Sequence, residues 1–340
     1  MKITLVSTVF NEARRIQDTL NDINNQSVLP DEVIITDAGS TDGTVEILQR
    51  WAAEVSFTVK ILVWAKCNVA EGRNKAIAEA TYACIISTDF GCRFHSLWIE
   101  SMIKPFNDSI IKVVGGTYAV VEADITTLAA KANYIICDGY YVAPHDGFIP
   151  SSRSIAYMKS VWESIGGYPE WLTLAADDLV FGLVLLKQKH TIAYVETPYV
   201  YWGRHSTLKA YGKEAYRYGL GDGEAKVNVR QFISKIIETG FRYFFYVCIL
   251  LLLFSLVYGS FQKEVLLFMV CTSTGFRSYY WSFKNWLKYK SPKYSFATLL
   301  YSIPLIEISR IQYIKGYIKG YFFSSKKVKE GASNLKMKLR

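Results

Sequence analysis

Ile3-Thr4-Leu5-Val6-Ser7-Thr8-Val9 followed by Phe10-Asn11-Glu12, and Val33-Ile34-Ile35 followed by Asp37-Ala38-Gly39-Ser40-Thr41-Asp42-Gly43, decide how this chain folds. Both runs are β-branched and apolar, as buried strands are, and both end abruptly in polar turn residues. Between them Ala13 to Gln26 reads as a helix, with Ile16, Leu20 and Ile23 on one face. Thr44 to Trp51 reads as a second helix and Val59 to Val63 as a third strand. Asn68 to Ala80 is a loop running into a helix, and Cys84-Ile85-Ile86-Ser87 is a fourth strand that ends at Asp89. Strand and helix in alternation argue an α/β domain, a mostly parallel sheet with helices on both faces.

In such sheets ligands sit outside the carboxyl ends of the strands. Thr8, Asn11 and Glu12 fall at the end of the first strand, Asp37 at the end of the second and Asp89 at the end of the fourth. Any one of them alone reads as a cap or turn former; several acids gathered at one sheet edge point to a site. A nicotinamide enzyme would need glycines directly after the first strand, so that backbone N–H groups can approach a pyrophosphate. Phe10 to Arg15 contains none. A domain of this kind must hold a diphosphate through a cation, either a metal ion or an arginine.

The 340 residues allow one large domain and a smaller appendix. With 51% hydrophobic, 15% aromatic and 20% charged residues, the chain is apolar for a soluble enzyme and too charged to be mainly membrane spans. The net charge of +9 is concentrated late. After Arg310 come Lys315, Lys319, Lys326, Lys327, Lys329, Lys336 and Lys338, against the single acid Glu330. A basic tail beside apolar segments favours anionic lipid over nucleic acid. The last ten or so residues also read as a disordered solubilising tail. The cysteines are scattered without a C-x-x-C pair, so neither a zinc site nor a redox pair is indicated, and a reducing compartment is expected. His95, His145 and His190 show no metal spacing. Met1 leads directly into strand pattern without a signal-peptide core, so the catalytic part is expected in the cytoplasm.

Up to about residue 225 the sequence resembles the family 2 glycosyltransferases. Thr8-Val9-Phe10-Asn11-Glu12 resembles the family's opening P/T-x-x-N-E, and Ile35 to Thr44 its V-D-D-G-S-T-D-G-T loop. Glu71-Gly72-Arg73-Asn74-Lys75-Ala76 is similar to its G-x-x-x-A/R-N-x-G/A helix start. Ser87-Thr88-Asp89 stands where D-x-D belongs, and Gly166 to Glu170 and Ala176-Asp177-Asp178-Leu179 resemble the G-G-Y/F-x-E and E-D-x segments. Thr88 to Cys92, Pro150 to Arg153 and Arg217 to Asp222 resemble stretches of the membrane-associated exopolysaccharide (succinoglycan-type) subgroup.

The resemblance implies the GT-A fold and an inverting transfer of sugar from a nucleotide-diphosphate sugar to a glycan acceptor. It places Thr8, Asn11, Glu12, Asp37 and Ser87 at the donor nucleotide and Arg73 near the diphosphate. It makes Asp89 the ligand of Mg2+ or Mn2+, although Ser87 replaces the first acid of D-x-D. Asp178 matches the base that takes the acceptor hydroxyl proton, and Asp177, beside it, is the other candidate. Arg153, Trp202, Arg204 and His205 fall in the acceptor and diphosphate region. The missing acid at Ser87 leaves open an alternative, a catalytically inactive nucleotide-sugar-binding scaffold of a glycan assembly complex. No nucleic acid is expected beyond the donor nucleotide. Nucleotidyltransferases are disfavoured because Phe10 to Arg15 lacks the glycines a triphosphate loop needs.

The expected organisation is a transferase domain over 1–228, a membrane region over 229–293, and an interfacial helix with a basic cytoplasmic tail over 294–340. Phe244 to Val257 carries no charge, with Tyr243, Tyr246 and Tyr258 around its ends, which predicts a transmembrane helix over about 242–259. A second span is predicted over about 264–282, marred by Arg277. Phe296 to Ile308, interrupted by Pro304 and Glu307, is expected to lie in the interface, and Ile311 to Phe323 to form an amphipathic surface helix. Gly316 and Gly320 are spaced for close helix contact. The enzyme is thus expected at the cell membrane with a lipid-linked acceptor.

Overall fold

The computed structural model describes residues 1–141, 143–145, 147–258 and 279–339. They form two compact units. The first comprises Met1–Asp124, Tyr140–Arg204 and Ser324–Arg340, and the second Ile125–Gly139 and His205–Phe323. The units do not follow the linear boundary expected at 228. Residues 205–228 group with the later helices, and the basic tail groups with the sheet.

The first unit is built on an eight-stranded sheet, ordered β3-β2-β1-β4-β7-β6-β8-β5. The strands are β1 (Ile3–Val9), β2 (Glu32–Asp37), β3 (Thr58–Val63), β4 (Cys84–Ser87), β5 (Arg93–Phe94), β6 (Val113–Ala119), β7 (Ile155–Met158) and β8 (Ile192–Tyr201). The first four run parallel, as the strand–helix alternation requires. Beyond them the sheet is mixed: β7 is antiparallel to both β4 and β6, and β8 is parallel to β6. The sheet is therefore less parallel than expected, because β7 enters from the opposite end. That reversal matters for function. Ile155, the first residue of β7, pairs with Ser87, the last of β4. The segment preceding β7 is thereby delivered to the edge where β1, β2 and β4 end.

Helices α1 (Ile16–Asn24), α2 (Thr44–Glu54), α3 (Val69–Ala78), α4 (Trp98–Ile103), α6 (Lys159–Ile165) and α7 (Asp177–Lys187) accompany the sheet. Ile16, Leu20 and Ile23 of α1 bury their stripe against Leu5, Val33 and Trp98, each essentially inaccessible. Each such side chain contributes about 1.5–3 kcal/mol on burial. Helix α3 starts with a full capping box: Asn68 accepts from the Glu71 backbone, and the Glu71 side chain accepts from that of Asn68.

The second unit consists of α5 (Leu128–Ile136), α8 (Leu208–Ala225), α9 (Val229–Tyr258), α10 (279–289) and α11 (Phe296–Phe323). Helices α8 and α11 press backbone to backbone through glycines. A Cβ on Gly316 would lie 2.2 Å from the Tyr216 carbonyl oxygen, and one on Gly219 2.1 Å from that of Tyr313. The close contact read from Gly316 and Gly320 is present, with Gly219 and Gly223 as the answering pair on α8. Pro304 does not interrupt α11, contrary to expectation. A proline removes one helical hydrogen bond, and packing of Ser302, Leu305 and Ile306 on its inner face outweighs the loss. Glu307 is likewise not an interfacial charge: it accepts from Arg242 Nε at 2.6 Å and Tyr279 Oη at 2.7 Å. Only 1% of the Arg242 side chain is exposed, so this pair ties α9 to α11 inside the bundle.

Among the described residues no helix is long and apolar enough to cross a membrane. The crossing expected over 242–259 is therefore not supported, and most of the second, 264–282, lies outside the described residues. The apolar half of α9 is nonetheless exposed, at Val247, Leu250, Leu251, Leu253, Phe254 and Val257. The tail is ordered, not disordered: Ser325 caps α12 (Lys326–Lys338), which buries Val328, Gly331, Ala332 and Leu335.

Candidate active site

Register fixes which side chains meet. Thr8 pairs with Thr36, Val9 with Asp37, and Val6 with Ser87, so β1, β2 and β4 end along one edge. Asn11 at the first of these ends has a left-handed backbone, φ 55°. It stitches the turn to the next loop: its N–H donates to Ser40 Oγ at 2.8 Å and its Oδ1 accepts from the Thr41 N–H at 2.9 Å. Asn11 thus ties the turn after β1 to the loop after β2.

Asp37 is fully buried. Its Oδ2 accepts from the Gly39 and Ser40 N–H groups, both at 2.8 Å, whereas its Oδ1 is buried with no hydrogen-bond partner. A buried carboxylate oxygen left in that state is costly unless an N–H donor reaches it. Thr36 Oγ1 beside it is unpartnered as well. Thr8 is half-buried against α3: a Cβ on Gly72 would lie 2.9 Å from its methyl. Glu12 lies over the loop after β4, where a Cβ on Gly91 would come 3.4 Å from its Oε2. Burial pushes the Glu12 carboxyl up, Arg15 opposing and Asp42 adding to the shift. Ser87 is not at the surface: it is wholly buried in β4 with an unpartnered Oγ.

The centre of the site is Arg73. The resemblance implies that it lies near a diphosphate; in the structure its side chain is 1% exposed. One arm of its guanidinium donates to Asp89 Oδ1 at 2.7 Å and the other to Asp177 Oδ2. Its plane lies over the Tyr168 ring, 4.9 Å from the centroid. Burial works against the charge, but the carboxylates of Asp177 and Asp89 outweigh it and raise the pKa of Arg73 further. Asp177 is pushed up by burial first; Arg73 opposes this, while Asp178 and Asp89 reinforce it. A buried guanidinium bridging two carboxylates from different elements ties those elements together, and loss of the guanidinium leaves a buried charge unpaired.

Asp178 points to a different partner. Its Oδ2 accepts from Ser151 Oγ at 3.0 Å and its Oδ1 from the Leu179 N–H at 2.8 Å. Ser151 is also 3.1 Å from Arg153 Nη1, which links the Pro150–Arg153 turn to the start of α7. The Arg153 guanidinium lies 3.9 Å from the centroid of Trp202, and that of Arg204 4.0 Å from the same centroid. Arg204 also lies 4.5 Å from the Tyr140 ring centroid. Three of the four acceptor-region residues are thus brought together. His205 belongs to the helical unit, its Nε2 3.7 Å from Glu214 Oε1 and its ring against Tyr211.

Asp89 is 36% exposed, and its Oδ2 stands 3.8 Å from Arg153 Nε, beyond hydrogen-bond reach. Among the described residues no three His, Cys, Asp or Glu side chains group to hold a metal ion. A carboxylate this exposed, with Oδ2 held only by the long ion pair to Arg153, fits a divalent cation whose remaining ligands are phosphate oxygens and water.

Sequence reasoning missed Ser151 and Tyr168. Both lie inside quoted motifs, but their partners come from other parts of the chain.

A sheet of this order, with acids gathered at the ends of its parallel strands, has the GT-A-like fold. The mannosyltransferase PcManGT from Pyrobaculum calidifontis, solved in complex with GDP-Man and Mn2+, shares the fold with a TM-score of 0.55. It is 15% identical, over 95% of this chain and 88% of that one. Residues 4–160 match the Glycosyl transferase family 2 model, so this stretch is a glycosyltransferase domain of that family. The O-antigen chain rhamnosyltransferase RfbN of Salmonella typhimurium is 26% identical over 229 residues, 64% of this chain and 70% of its own length. Glycosyltransferase AglE of Haloferax volcanii is 27% identical over 177 residues, and the match spans 58% of that protein.

Proposed function

We propose that the enzyme transfers a sugar, with inversion, from a nucleotide-diphosphate sugar to a lipid-linked glycan acceptor at the cytoplasmic face of a membrane. The observation that carries the transfer chemistry is the convergence of Asp89, Asp177 and Asp178 on the Arg73–Ser151 constellation at the ends of the parallel strands. Asp37 Oδ1 receives an imide or amide N–H of the base. Asp89 would hold Mg2+ or Mn2+, which would supply positive charge to neutralise the diphosphate of the leaving nucleotide. Arg153 and Arg204, held over Trp202, add positive charge on the same side. Arg73 keeps Asp89 and Asp177 in place. With Asp177 committed to Arg73, Asp178 is the base, oriented by Ser151 and Leu179 to take the acceptor hydroxyl proton as the glycosidic bond forms.

The membrane part of the reading rests on the exposed apolar half of α9, a surface that water disfavours. The RfbN relative, named for O-antigen chains, supports a glycan acceptor.

Calorimetric titration of the detergent-solubilised protein with UDP, GDP and dTDP, with and without Mn2+, tests the donor half. Metal-dependent binding of one of them, lost in Asp89→Asn, is expected. Binding indifferent to both metal and Asp89 would refute the assignment of the diphosphate to this edge. Flotation of the protein with anionic vesicles tests the membrane half; full activity on a soluble acceptor after removal of residues 241–258 would refute it.

A further inference from the structure

The orientation of Arg73 depends on α3, and α3 is fastened at two points to the irregular segment after α6. Asn68 Nδ2 donates to the Glu170 and Leu172 carbonyls at 3.1 and 3.0 Å. Asn74 Oδ1 accepts from the Tyr168 N–H at 2.8 Å and from Trp162 Nε1 at 2.9 Å, and its Nδ2 returns to the Tyr168 carbonyl at 2.9 Å. The segment itself carries Tyr168, the ring beneath the Arg73 guanidinium. It begins with two left-handed glycines, Gly166 at φ 84° and Gly167 at φ 76°, and has no ladder of its own. Its support comes from outside.

Ser152 and the stacked ring of Phe181 hold Tyr168, and the rest of that support is α12, nearly at the other end of the chain. Its buried residues Val328, Gly331, Ala332 and Leu335 form one helical stripe. Gly331 lies against Trp171 so closely that a Cβ would be 2.3 Å from the indole Cγ and Cδ2. Lys338 Nζ donates to the Ile165 carbonyl at 2.8 Å, just ahead of the two glycines. Lys327 Nζ is 3.6 Å from Glu71 Oε1, the carboxylate that closes the α3 capping box. A cavity of about 410 Å³, lined in part by Tyr168, Phe181 and Leu335, adjoins these contacts. The helix therefore bears on the segment and on the start of α3 through its short apolar stripe and the two lysine contacts.

We propose that α12 is a positioning element of the active site, with Gly331, Trp171 and Lys338 as its positioning residues. It braces residues 165–171 and the start of α3, and so fixes the guanidinium that holds Asp89 and Asp177. This rests on the reading of Asp89 as the diphosphate-end group. It extends that reading to a part of the chain outside the family-matched residues 4–160.

The test is Gly331→Leu in the full chain, with Gly331→Leu/Trp171→Ala as the rescue that opens room for the new side chain. Three readouts are taken: Mn2+-dependent binding of UDP, GDP or dTDP, whichever the wild type selects, against the matching monophosphate; kcat; and amide exchange. In Gly331→Leu, diphosphate affinity and kcat fall about 10- to 100-fold, as sub-ångström to ångström misplacement at a site produces. Monophosphate affinity stays within about twofold, because Asp37 and the β1–β2 edge are untouched. Exchange rises over residues 69–78 and 165–172 and not over β1 and β2. The double variant recovers diphosphate affinity and kcat to within about threefold of wild type. Unchanged exchange over 69–78 with unchanged kcat would overturn the inference, as would equal loss of mono- and diphosphate binding. If Asp89→Asn leaves diphosphate binding intact, the reading of Asp89 fails, and the exchange and kcat results still decide whether α12 braces α3.

Discussion

Replacing Arg73 by Met removes the one charge that two carboxylates share. The side chain of Arg73 is 1% exposed and that of its partner Asp177 16% exposed. Removing one member of so buried a pair costs about 3–5 kcal/mol, since the other charge stays desolvated and unpaired. Asp89 is 36% exposed and solvent screens it, so its share is at most about 1 kcal/mol. The sum, about 4 kcal/mol, is dominated by Asp177. The pH dependence follows. In the native protein, burial and the neighbouring Asp178 and Asp89 already push Asp177 up against the pull of Arg73. A carboxyl raised on folding contributes stability that is present below its unfolded pKa and lost as pH rises through the folded one. Without Arg73 the folded pKa rises further, so the penalty is full at pH 8 and shrinks as the pH falls through the variant's new value. Urea unfolding of wild type and Arg73→Met at pH 8 and pH 5 measures both differences. A penalty under about 1 kcal/mol at pH 8, or the same penalty at both pH values, would refute the view of Arg73 as the buried counter-charge of Asp177.

Asp178→Asn should lower kcat by about 10²–10⁴-fold with the donor KM little changed, the signature of a lost base; steady-state kinetics on a glycan acceptor would show it, and retained kcat would exclude the role. Gly316→Leu forces a side chain into the Tyr216 carbonyl and should destabilise the helical unit by about 1–3 kcal/mol or more, read as a lowered thermal midpoint. Burial pushes the Cys84 and Cys92 thiols up to about 12, so neither should react with maleimide at pH 8 before unfolding, while exposed Cys137 does; mass spectrometry of the labelled peptides distinguishes them. Trp202→Ala frees both Arg153 and Arg204 from the ring they share and should weaken diphosphate more than monophosphate binding in the same calorimetric titration.

The sequence by itself determined the local half of this protein. β1, β2, β3 and β4 were legible from their runs of β-branched and apolar residues. The turns after them were legible from Asn11, Asp37 and Asp89, because strand ends and turn formers are local chemistry. The spacing of Gly316 and Gly320 permits a close helix contact, but Ile311 to Phe323 reads as an amphipathic surface helix, because the answering pair, Gly219 and Gly223, does not stand out. Tertiary structure alone decided the rest, for a common reason: each feature depends on residues far apart in the chain. The reversal of β7 brings Ser151 and Arg153 to the edge where β4 ends, and no local period encodes strand direction. The resemblance implies Arg73 near a diphosphate, but its burial between Asp89 and Asp177, which arrive from two other elements, is not visible in the sequence. Pro304 looks like a helix breaker until α8 packs against the turn that contains it. The lysine-rich tail looks solvated because its apolar stripe, Val328, Gly331, Ala332 and Leu335, is sparse. It becomes a helix only against a surface that includes Trp171, and that burial, not the propensity of the tail, gives it a place beside the active site.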